Sequence, residues 1–206
     1  MYGTHSQNYV ERARQRLNEQ KREALFYAAL EIRLGVEARM KEYLAAQHHI
    51  SKAKKEGWRV AHLGRSLETA FRTGDKVIQL RILDRKSKEL LWVLYYTPVT
   101  KQLQKMTQRL GDYLHAPDVS ASLSDAWWAE FRQLLETAWL ALKKATTGSL
   151  IGAPLLHTAT GKLNMTVEFN STEESRRYMQ RVGGVGARAV LDVDYLNDLP
   201  PETTLH

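Results

Sequence analysis

The chain has 206 residues, 43% of them hydrophobic, with five Trp, nine Tyr and no cysteine. That much apolar material supports one domain with a core and sets aside a wholly disordered chain, while the missing cysteines exclude disulfides, thiolate catalysis and Cys-based zinc sites. The formal charge of +7 is unevenly placed: residues 1–116 carry 22 Lys and Arg against 12 Asp and Glu, and residues 117–206 carry 8 against 11.

In chain order, residues 9–47 read as one long helix with no Pro and a single Gly, Gly35. At a helical period Leu25, Phe26, Ala29, Ile32, Val36, Met40, Tyr43 and Leu44 share one face. The charged stretch from Tyr9 to Lys21 reads as solvated, and so does Glu31 on the far side. Ser51 to Trp58 is a basic loop, and Leu63 to Phe71 a short helix closed by Thr73-Gly74-Asp75. Ile78, Leu80 and Ile82 alternate with Gln79 and Arg81, and Leu90 to Tyr96 is rich in strand formers, so residues 76–97 predict a hairpin. A helix follows from Thr100 to His115, with Leu103, Met106, Leu110 and Leu114 on one side. Ser124-Asp125 caps another, Ala126 to Lys144. Alternation then predicts strands over Leu163 to Phe169 and Ala189 to Tyr195, with a short helix at Ser171 to Arg181 between them.

The predicted fold class is therefore α+β, mainly α: a helical bundle over residues 1–150 that carries the hairpin at 76–97 as an insertion. Residues 151–206 form a β-containing extension of the same domain. Met1 to Arg16 lacks the apolar core of a signal peptide, and no apolar run reaches membrane-span length. The expectation is a cytoplasmic protein without membrane contact.

Three groups of residues carry candidate chemistry. Arg33 and Glu37 stand four apart within the apolar face of the first helix, where a charged pair is costly unless its members satisfy each other or line a polar pocket or interface. Lys52, Lys54, Lys55 and Arg59 cluster in and after the basic loop and suit contact with phosphate. His48 and His49 are adjacent and point apart on a helix, so no metal site is expected, nor any cofactor. The run Trp127-Trp128 reads as core plus one exposed ring, and the glycines after Arg181 as a turn.

The third group is Gln108-Arg109-Leu110-Gly111-Asp112-Tyr113-Leu114-His115. Arginine is a permanent cation suited to phosphate, and histidine titrates near neutrality. Together they suit attack of a ribose 2′-hydroxyl on its own phosphate, with His115 moving the proton and Arg109 neutralising the developing charge. A surface arginine followed by a histidine at a helix C-terminus has the same spacing. Six residues span about 240° of a continuous helix. Convergence thus requires a break near Gly111 or a second subunit.

This Arg-x5-His spacing, the long first helix and the position before a last long helix resemble the HEPN superfamily, helical-bundle proteins common in bacterial toxin and antiviral systems. The resemblance covers residues 9–148. It implies a homodimer whose two motifs form one composite site, metal-independent RNA cleavage by Arg109 and His115, and a cognate protein partner. Inactive members of the same fold imply the alternative, a non-catalytic module that binds nucleic acid or protein through a basic face.

Overall fold

A computed structural model describes residues 3–19, 21–46, 59–115, 124–156, 163–164 and 189–201. The basic loop with Lys52, Lys54 and Lys55, the histidines 48 and 49, residues 165–169, the helix predicted at 171–181 and the glycine-rich turn lie outside the described residues. Among the described residues the fold is α+β and mainly α, with five helices and a small antiparallel sheet. No described helix is long and apolar enough to cross a membrane.

The first expectation needs correction. Residues 9–47 are two helices, α1 (Ser6–Asn18) and α2 (Arg22–Ala45), packed as an antiparallel hairpin. Tyr9, Val10, Ala13 and Leu17 recur at helical spacing and are buried. A straight helix of that length would run about 58 Å and leave this stripe in water. Folding back at Lys21, which is extended (φ −100°, ψ 141°), lays it on α2. Glu31 is consequently half-buried against Arg12 of α1, Nε to Oε2 at 2.9 Å, and is not solvated.

Helix α2 is the centre of the bundle. It packs against α1, α3 (Val60–Phe71), α4 (Lys101–Leu114) and α5 (Asp125–Thr146), and Ile32, Val36, Met40, Tyr43 and Leu44 are wholly buried. The close approach of α1 and α5 depends on Gly35, where a Cβ would lie 2.7 Å from Leu142 Cδ2 and 3.0 Å from Tyr9 Cβ. Ser124 caps α5 as expected, accepting from the Trp127 amide, and Thr100, read from sequence as the first residue of its helix, is instead the N-cap of α4 and accepts from the Leu103 amide.

The hairpin forms from β1 (Val77–Asp84) and β2 (Leu90–Tyr96), paired from Ile78↔Tyr96 to Ile82↔Trp92 with a bulge after Ile82. Two short strands, β3 (Leu155–Leu156) and β4 (Leu163–Asn164), pair with each other. The last strand, β5 (Ala189–Leu196), returns to the free edge of β1, giving one sheet in the order β2-β1-β5. Arg81 bridges Asp192 and Asp194 of β5 at 2.6 and 2.8 Å. The sheet is anchored to the bundle by Tyr96, whose ring lies 5.0 Å from that of Tyr43 and 5.8 Å from that of Phe71.

Candidate nucleic-acid interface

Helix α4 buries Leu103, Thr107, Leu110 and Gly111 and turns the opposite side to solvent. Lys101, Lys105, Gln108, Asp112 and His115 recur at spacings of three and four, so they form one exposed stripe about 21 Å long. Beside it lies α3, whose Gly64 faces the Gln104 side chain of α4: a Cβ there would sit 2.1 Å from Gln104 Oε1. Between the two helices is an open cleft of about 360 Å³. Phe71 and Tyr96 form its apolar part, and Arg65, Lys101 and Lys105 its cationic rim.

The charge balance of that rim is favourable to an anion. Arg65, Lys101 and Lys105 are exposed and form no ion pair among the described residues. Of the two cleft carboxylates, Asp75 is engaged by the Lys101 backbone amide at 2.9 Å, where it caps the first turn of α4. Glu68 remains as the opposing charge. Arg59 is exposed at the N-cap of α3, the helix that carries Arg65.

Arg109 stands on the flank of the stripe. Its guanidinium bonds Glu130 of α5, which also accepts from the Tyr113 hydroxyl at 3.4 Å. Both partners are more than half exposed, so solvent screens the pair. His115 is the C-cap residue, exposed, with no hydrogen bond from its imidazole among the described residues. The helix runs through Gly111 without a break. Within one chain Arg109 and His115 therefore keep the roughly 240° separation of a continuous helix.

The Arg33–Glu37 pair forms, with Nε to Oε1 at 3.5 Å, a long contact in which Glu37 is the more buried member and Arg33 is partly exposed. Burial pushes the Glu37 carboxyl above its usual range, and the hydrogen bond and charge of Arg33, then the charge of Lys41, oppose that shift. Arg33 extends across α4 at Gly111, where a Cβ would lie 2.8 Å from Nη1. Two constellations that are separate in the sequence thus meet at the α2–α4 contact. Trp127 and Trp128 are both half-buried in an aromatic cluster with Phe26 and Phe131, and Trp127 also meets Tyr113.

The cleft itself was not foreseen from sequence. The spacing of Lys101, Lys105, Gln108 and His115 signals a polar helix face, but nothing local indicates that Arg65 stands across from it. Among the described residues no group of three or more His, Asp or Glu is placed to hold a metal ion. No known family, curated protein or solved structure matches the chain.

Proposed function

We propose that this is a cytoplasmic RNA-binding protein that seats a phosphate backbone along the α3–α4 cleft. The observation that carries this reading is the set of three exposed cations without ion pairs, Arg65, Lys101 and Lys105, on one rim. A cation that is already paired gains little by meeting a phosphate. An unpaired one gains the full attraction and releases a condensed counterion.

The test is fluorescence anisotropy with a single-stranded RNA across a salt series. Each phosphate neutralised contributes about 0.7 to the slope of log affinity against log salt, so three give a slope near −2 and about a 20-fold loss between 50 and 200 mM salt. Lys105→Gln and Arg65→Gln should each reduce the slope by roughly 0.7. Absence of binding at low salt overturns the reading, and so do variants that bind as tightly as the wild type with an unchanged slope.

A second reading, metal-independent RNA cleavage by a HEPN-like homodimer of toxin or antiviral type, is favoured by one placement. His115 lies on the same exposed stripe as Lys101 and Lys105, so a backbone following that stripe reaches its imidazole. The arginine then comes from the other subunit, because one continuous helix does not bring Arg109 to the same side. His115→Ala and Arg109→Ala should each lower cleavage by about 10²–10⁴-fold with folding intact, and cleavage should persist in EDTA. RNA that is bound and left uncut supports the binding reading alone.

A further inference from the structure

Helix α2 is buried on most sides, yet one strip of it faces outward between α1 and α4. Arg12 meets Glu31 on one border of this strip, and Arg33 crosses Gly111 on the other. The strip consists of Glu23, Tyr27, Leu30, Leu34, Ala38 and Lys41, which fall within an arc of about 80° at helical spacing. Its centre is apolar and wet: Tyr27 is 57% exposed and Leu30 45%. Its two ends carry opposite charges, and neither Glu23 nor Lys41 forms a salt bridge among the described residues, the charge of Lys41 acting on Glu37 only from a distance.

The order of residues along this strip is self-complementary. Glu23 and Lys41 are equidistant from the level of Ile32, and so are Leu30 and Leu34. Tyr27 and Ala38 are centred within half a residue of the same level. We propose that this strip is a two-fold interface at which α2 of a second copy of the chain packs antiparallel. A two-fold axis at Ile32 then sets Leu30 against Leu34 of the second copy and the large Tyr27 against the small Ala38. It also sets Glu23 against Lys41, and every contact occurs twice. An unrelated partner would not require this symmetry about one level of the helix. The opposite charges at the two ends select the antiparallel orientation over the parallel one, which would place like charges together.

The interface is independent of the RNA-binding reading, since Arg65, Lys101 and Lys105 lie on other helices, whereas the cleavage reading itself needs a dimer. The experiment is sedimentation equilibrium of the full chain over a concentration series, with circular dichroism on each variant. Wild type should dimerise. Tyr27→Ser with Leu30→Ser removes two exposed side chains from the centre of the interface and should raise the dimer Kd about 100-fold without changing helicity. Glu23→Lys and Lys41→Glu, made singly, place like charges opposite each other twice and should each raise Kd about 10-fold at low salt. Combined in one chain, the two swaps restore attraction and should return Kd to near the wild-type value. A wild type that stays monomeric at about 100 μM, two orders above a typical micromolar Kd, overturns the proposal. A dimer indifferent to Tyr27→Ser with Leu30→Ser also overturns it, as does a double charge swap that fails to restore association.

Discussion

Arg39 joins three helix ends, and its neighbours determine which substitution around it costs more. Its side chain is 6% exposed. Nε donates to the Ala145 carbonyl near the C-terminus of α5 at 2.9 Å, Nη1 donates to Glu42 at 3.1 Å, and the guanidinium lies 4.4 Å from the centre of the Tyr43 ring. Glu42 in turn accepts from the Ser6 amide and hydroxyl, each at 2.8 Å, and so caps the N-terminus of α1. If Arg39→Met removes the cation, the Ala145 carbonyl keeps the Thr97 hydroxyl at 2.9 Å and Glu42 keeps both Ser6 donors. The loss is two charge-assisted hydrogen bonds and a cation–π contact, offset by the avoided desolvation of the guanidinium, a net of about 2 kcal/mol. If Glu42→Ala removes the anion instead, a buried guanidinium loses its counter-charge and the Ser6 amide loses its acceptor, which costs about 3–5 kcal/mol. Urea denaturation followed by circular dichroism measures both. An Arg39→Met variant less stable than Glu42→Ala would refute this reasoning, because the order follows from which partner is left unsatisfied.

Other perturbations give equally definite outcomes. Burial raises the Glu37 carboxyl above its reference value of 4.5, so ionising it weighs against the folded state. That part of the stability is present below the unfolded pKa and lost as pH rises through the folded one. Glu37→Gln should therefore gain on wild type from acidic towards neutral pH in denaturation midpoints, and a difference between the two that stays constant over that range contradicts this. Gly35→Ala drives a methyl into Leu142 and Tyr9 and should lose about 1–2 kcal/mol despite better helix propensity. Gly111→Ala meets only the mobile end of Arg33 and should change stability by less than about 1 kcal/mol. Equal losses at the two glycines in thermal melts would show that their neighbours do not set the difference.

Much of the architecture is written in local pattern. The alternation in Ile78, Leu80 and Ile82 and the cap at Ser124 depend on neighbours within a few residues, and each produces the element it implies. The break between α1 and α2 has no such marker: neither Pro nor Gly stands at residues 18–22, and no side chain caps α2. What turns the chain there is the apolar stripe Tyr9, Val10, Ala13 and Leu17, whose burial needs a partner helix. High charge around the stripe disguises it, since six of the thirteen residues in α1 are exposed. Likewise the pairing of β5 with β1 joins residues more than a hundred positions apart, and alternation alone does not choose between an added sheet strand and a second hairpin.

The candidate site divides along the same line. Arg33 and Glu37 are recognisable because i, i+4 neighbours on one helix must meet, and they do. That Arg33 then passes over Gly111 is a fact about two helices packing, and the glycine explains it only once the packing is known. The spacing of Arg109 and His115 is just as easily read, but spacing is not geometry. A glycine permits a helix to break without compelling it, and Leu110 and Gly111 both face the core with intact helix on either side. Holding α4 straight buries Leu103, Thr107 and Leu110 together, whereas a kink at Gly111 would lift the last turn off α5 and open the stacked contact between Tyr113 and Phe131, whose centroids are 4.5 Å apart. Packing thus keeps Arg109 and His115 on different sides of the helix. Arg109 can meet such a histidine only across two molecules, and that makes the oligomeric state the quantity on which the catalytic reading turns.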